Sequence, residues 1–167
     1  MARYNVVTNR VQDAGIFEEE KIRFFALCRS GNIYDFMESI PFFSNIGDLV
    51  REFDHHGRLC THVVAKFDVN NAVMKIELLL NLGADVSGRE SLTGDSLLHI
   101  AVCSKNYDLA EWLCRDLKAN LNAINYAHQT PYHLAFLIRD QRMMEILKSN
   151  GAACDDPVAS DVDSNGF

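Results

Sequence analysis

The sequence predicts an all-α fold, a solenoid of helix-turn-helix repeats stacked in an array. Three observations predict it. A short block recurs at 58–64 (RLCTHVV), 95–101 (DSLLHIA) and 129–135 (QTPYHLA), always with a histidine at the same place; His62, His99 and His133 are 37 and 34 residues apart. A second apolar run follows each block, at 74–80 (MKIELLL), 109–114 (LAEWLC) and 143–148 (MMEILK). Each unit then closes on a turn, at 83–85 (GAD), 118–120 (KAN) and 151–153 (GAA). Turn, helix, loop, helix and loop at a fixed period are what a repeat array requires.

Taken in order, 1–16 is expected to be a flexible N-terminal arm and 17–50 a degenerate capping repeat. Within the latter, FFALCRSGNIYDFMES (24–39) reads as a decayed helix pair, with Gly31-Asn32 at the inter-helix loop, two periods before Lys105-Asn106. EEE at 18–20 reads as a solvated helix start, where negative charge meets the positive end of the helix dipole. The first full repeat, 51–89, is expected to be the weakest, because Leu59-Cys60 offers no capping oxygen. The second, 90–124, has Ser96 as its cap. In the third, 125–154, Thr130 precedes Pro131; proline at the first helical position loses no hydrogen bond. Gly57, Gly94 and His128 hold the turn before each block, and Gly83 and Gly151 suit left-handed helix C-caps. One helix pair cannot bury its own apolar face, so neighbours must stack. The segment 155–167 (DDPVASDVDSNGF) has four aspartates and no apolar periodicity. It reads as a disordered acidic tail, serving either solubility or a basic partner.

Composition narrows the function classes. Hydrophobic residues make up 48% and charged residues 23% of the 167, as in soluble proteins. The longest apolar runs, such as IELLL at 76–80, are far too short to span a bilayer, so no membrane is expected. The N-terminal stretch has no apolar core with a cleavage signature, and Cys28, Cys60, Cys103, Cys114 and Cys154 show no CxxC spacing. A cytoplasmic location, with access to the nucleus, and reduced thiols are the expectation. A formal charge of −7 disfavours direct binding of nucleic acid. Three histidines recurring at one array period do not converge as zinc ligands would. No phosphate-binding glycine loop, paired carboxylates or nucleophile elbow is present. The expectation is therefore a non-enzymatic chain without metal or cofactor, monomeric by itself.

The blocks TPYHLA (130–135) and GDSLLHIA (94–101) resemble the TPLHxA signature of ankyrin repeats, and the resemblance covers 51–154. It implies that His62, His99 and His133 are structural, each bonding the neighbouring turn. It also implies protein binding through the turn tips and the exposed side of the first helix of each repeat. Carried onto this sequence, those positions are His55, His56, Arg58, Lys66 and Phe67 in the first repeat. The second supplies Leu92, Thr93, Asp95, Cys103 and Ser104, and the third Tyr126, Ala127, Gln129, Leu137 and Ile138. Phe67 and Tyr126 are the expected aromatic anchors. Leu92, Leu137 and Ile138 would make an apolar patch suited to a partner. His55-His56, at a turn tip, reads first as a solvated loop and only second as a contact.

A narrower resemblance lies in LNAINYAHQTPYHLA (121–135) and TGDSLLHIAV (93–102). Both are similar to repeats of the inhibitor-of-κB (IκB) subfamily, in the family's order. The resemblance implies a protein that binds Rel/NF-κB transcription factor dimers and blocks their nuclear entry or DNA binding. The subfamily usually has more repeats, so a partial footprint is expected. It also carries an Asp-Ser-Gly phosphodegron, whereas residues 1–20 here contain neither serine nor lysine. Short inhibitors of this design resemble the viral ankyrin proteins (vankyrins) of polydnaviruses, which suppress insect immunity. The implied mechanism is an inhibitor that persists when the host's own is destroyed. The alternative is a generic ankyrin adaptor, for example one recruiting a client to a ubiquitin ligase, although neither flank has a recognisable ligase-binding box.

Overall fold

The structure is a computed structural model and describes residues 2–154, with side chains from residue 14 onward. The expected acidic tail lies outside the described residues. Among them the secondary structure is helical, apart from isolated bridges at Phe53–Leu59 and Arg89–Ser96. Among the described residues, no helix is long and apolar enough to cross a membrane. The chain divides into two compact units, Met1–Val86 and Ser87–Phe167.

In the first unit, α1 runs from Ala2 to Arg29. The stretch expected to be a flexible arm is therefore helical from its second residue. No proline interrupts it and its one glycine is Gly15, so the hydrogen-bond ladder need not break. The acidic run is corrected too, because 18–20 lies inside α1 rather than at its start. Glu18 and Glu19 are exposed, but Glu20 is buried and accepts from the Ser44 backbone N–H (3.0 Å) and hydroxyl (2.8 Å). After the Ser30-Gly31 bend, α2 (Ile33–Ser39) is capped by Asn32, whose side-chain oxygen accepts from Tyr34 N–H at 2.9 Å. A 3-10 turn (Ile40–Phe42) and α3 (Ile46–Leu49) complete the segment before the first full repeat. Its core is Phe24, Phe36, Leu49 and Val50, with Phe43 edge-on to Phe24 at 5.8 Å.

The first full repeat pairs α4 (Cys60–Phe67) with α5 (Ala72–Asn81), and α4 also packs on α1. Leu59 precedes α4 without a side-chain cap, as its chemistry requires. Burial holds α4 instead: Cys60 through Ala65 are all inaccessible to solvent. On α5, Lys75 is fully buried and paired with Asp68 at 2.6 Å. Its ammonium also donates to the carbonyls of Leu27 (3.1 Å) and Ser30, at the end of α1. A cation is favoured there because the last carbonyls lack intrahelical partners. Gly83 (φ +94°) ends α5, with its own N–H bonded to Leu80 and that of Ala84 to Leu79.

The second unit holds two repeats, α6 (Leu97–Cys103) with α7 (Tyr107–Arg115), and α8 (Pro131–Leu137) with α9 (Gln141–Ser149). Helix α6 packs on α8, and α7 on α9. Asn106 and Asp140 cap the second helices by accepting from Leu109 and Met143 N–H at 3.0 and 3.1 Å. Gly57, Gly94 and His128, expected to share one turn position, all adopt the left-handed region, at φ +71°, +71° and +57°. Lys118 (φ +48°) stands where the other repeats have Gly83 and Gly151.

Of the recurring histidines, His99 and His133 fasten their turns. The Nδ1 of His99 accepts from Ser96 N–H at 3.2 Å, which leaves Nε2–H to donate to the Gln129 carbonyl, 2.9 Å away in the next repeat. His133 repeats the first contact with Thr130 N–H at 3.3 Å, and Thr130 Oγ1 returns a bond from His133 N–H at 3.2 Å. His62 is fully buried on α4. Burial lowers the imidazole pKa of His99 against the opposing effect of its bond to Gln129.

Candidate functional site

In the second unit the tips of the two repeats are joined. Tyr126 N–H donates to the Thr93 carbonyl (2.9 Å), Asn125 Nδ2 to Asp95 Oδ1 (2.9 Å), and the Arg89 guanidinium to the Ile124 carbonyl. Each tip is folded by its own polar side chains. Asn125 Oδ1 accepts from Ala127 and Gln129 N–H at 3.0 Å each, an Asx turn. Thr93 Oγ1 donates to Glu90 at 2.7 Å and accepts from Asp95 N–H at 3.2 Å.

This stitching lays the Tyr126 ring on Gly94. A Cβ added there would lie 2.6 Å from the nearest ring carbon, so glycine is needed for space as well as for φ. Leu92, Thr93, Asp95, Cys103, Tyr126, Ala127 and Gln129 then line one groove of about 400 Å³. Leu92 is 71% and Tyr126 64% exposed. These seven expected residues are brought together. Leu137 and Ile138, at the end of α8, are exposed as expected but do not line the groove. Ser104 is turned back onto its own helix, donating to the Ile100 carbonyl at 2.8 Å, which leaves little of it for a partner.

In the first unit His55, His56, Lys66 and Phe67 are exposed. Arg58 is not: it is buried, with Nε and an Nη on Asp54 Oδ2 at 3.0 and 2.8 Å. Its expected role as a free contact residue is corrected, because Asp54 captures the guanidinium. Asp54 also accepts from His56 and Arg58 N–H at 2.9 and 3.0 Å, and from Arg29 at 3.2 Å. Burial alone would raise the Asp54 carboxyl; the Arg58 and His56 hydrogen bonds outweigh it and hold the pKa below the usual carboxylate value.

Sequence reasoning missed Leu134, which lines the second-unit groove, and Arg29, which stands over the Phe67 ring at 5.4 Å. The helical periodicity of the repeat assigns Leu134 to the core, and Arg29 reaches the tip across the α1–α4 packing. Among the described residues, no three His, Cys, Asp or Glu side chains converge as metal ligands.

Comparison with known proteins agrees with these features. The family model described as Ankyrin repeat matches residues 93–126. I-Kappa-B like protein C1 of Microplitis demolitor bracovirus is 54% identical over 140 residues, covering 84% of this chain and 80% of that protein. I-Kappa-B like protein G1 of the same virus is 45% identical over 161 residues, 96% of this chain and 92% of the relative. I-Kappa-B like protein F1 is 40% identical over 92% of this chain and 93% of its own length. The family is one of protein-interaction modules rather than catalysts. With the helix pairs, the fastening histidines and the tip geometry in agreement, this chain belongs to the I-Kappa-B-like ankyrin-repeat family represented by these bracovirus proteins.

Proposed function

We propose that this chain is a non-catalytic inhibitor that binds Rel/NF-κB transcription factors and blocks their nuclear entry or DNA binding. The observation that carries the reading is its likeness, over most of its length, to proteins named I-Kappa-B like. The second-unit face supports it physically. Leu92, Tyr126, Leu137 and Ile138 present apolar surface beside polar tips, the composition of a protein-binding patch. The net charge of −7 suits a partner whose DNA-binding and localisation segments are basic. The 167 residues contain no Asp-Ser-Gly, so the inhibitor persists during immune signalling, in the cytoplasm and with access to the nucleus.

The test is a titration of the purified chain against Rel homology domains, with a Tyr126→Ala/Leu137→Ala variant beside it, at low and physiological salt. Saturable binding weakened at least tenfold (~1.4 kcal/mol) by the variant is the expected result. No binding to any Rel domain, with ligase subunits captured instead, would leave an ankyrin adaptor.

A further inference from the structure

The first unit carries a second surface of opposite chemistry. In a chain of net charge −7, three cations surround one exposed aromatic ring. The guanidinium carbons of Arg58 and Arg29 lie 5.2 and 5.4 Å from the Phe67 centroid, and the Lys66 ammonium lies 5.9 Å from it. His55 and His56 stand beside them on the tip, exposed and ring to ring at 3.9 Å. The carboxylate seen to meet these cations is Asp54, buried and already accepting from Arg29, Arg58 and two backbone N–H groups. Like charges gathered on one ring repel one another, and an anion from outside would relieve that.

The same corner opens into a groove of about 280 Å³ between α1 and the tip. Ile22, Phe25, Ala26 and Phe53 give it apolar walls, and Arg29 and His55 belong to both groove and cationic cluster. Elsewhere on the groove, the one further cation among the described residues is already taken up: Lys21 pairs with two carboxylates, Glu52 at 3.0 Å and Glu18 at 3.8 Å.

From this juxtaposition we infer that the first unit docks a short acidic segment of a partner protein carrying a bulky apolar side chain. The apolar side chain enters the α1–tip groove. The flanking carboxylates meet Arg29, Lys66 and the exposed histidines, with Phe67 packing against the peptide stem. Charge complementarity selects this occupant, since a basic segment would add cations to a cluster that already has an excess. The inference goes beyond the Rel reading and stands without it, because it concerns different residues and the opposite charge.

The experiment is fluorescence anisotropy on the full chain with a labelled peptide of aspartates and glutamates around a central Phe-Leu pair, at low and physiological salt. Saturable binding is expected. It should weaken at least tenfold in Lys66→Glu and in Ile22→Glu, both exposed sites, with circular dichroism confirming that each variant folds. It should weaken likewise when the peptide's carboxylates become amides or its Phe-Leu becomes Ser-Ser. The Tyr126→Ala/Leu137→Ala variant, which tests the Rel face, should leave peptide binding unchanged. No saturable binding, equal binding of a lysine version, or unaltered binding by Lys66→Glu would overturn the inference. So would tighter binding of a single-stranded oligonucleotide at Lys66, or a tenfold gain on removing 155–167, which would make the acidic tail the occupant.

Discussion

Gly94 and His128 occupy the same turn position in successive repeats, at φ +71° and +57°, and they predict substitutions of opposite sign. Gly94→Ala places a Cβ in the left-handed region and drives it into the Tyr126 ring. A loss of about 2 kcal/mol in urea unfolding is expected, together with weaker partner binding as Tyr126 is displaced. His128→Gly relieves the same backbone cost and should gain about 1 kcal/mol. His99 predicts a pH effect. Its folded pKa lies below the ordinary imidazole value of 6.5, chiefly through burial. As pH falls through 6.5 the unfolded chain takes up a proton that the folded chain resists, so stability falls with acidification and is fully present above that range. Urea unfolding between neutral and mildly acid pH should show this slope, and His99→Gln should flatten it. An unchanged slope would assign the acid response elsewhere.

At the scale of elements, the helices were legible where local chemistry defines them. The period of the blocks, Thr130-Pro131, the shared turn position at 57, 94 and 128, and the left-handed glycines at 83 and 151 are all properties of neighbouring residues, and each holds in the structure. The flank before the repeats was less legible. Helix α1 extends through the expected arm, and Glu20 is drawn inside by Ser44, 24 residues away. Lys75 is the sharpest case: nothing in MKIELLL marks its lysine as a buried fastener. Its ammonium ties α5 to the carbonyl end of α1 and to Asp68. Lys75→Met should therefore cost about 3 kcal/mol by stranding the Asp68 charge and two carbonyls. Lys75→Met/Asp68→Asn should recover part of that loss. Denaturant midpoints of the two variants check this, and equal losses would argue against a coupled pair.

Across the whole molecule, the five cysteines sort by burial and so report on folding. Cys28 and Cys60 are buried and Cys103 is exposed. Burial raises the Cys28 thiol and pushes that of Cys60 up to about 12, so neither forms thiolate readily at neutral pH. Native-state alkylation followed by peptide mass spectrometry should modify Cys103 well before Cys28 or Cys60. The latter two should react only at the rate of unfolding of the first unit. Early modification of Cys28 would show that α1 opens independently of α4.

The sequence by itself determined that this chain is an array of helix pairs, where its turns fall, and which positions of each repeat stand at the turn tips. Those features depend on periodicity, caps and turn residues, which act over a few residues. Tertiary structure decided which of those positions remain available. Arg58 is drawn onto Asp54, which also holds Arg29 from 25 residues away, and Tyr126 comes to rest on Gly94. Contacts between residues distant along the chain are set by stacking, and no local pattern encodes them.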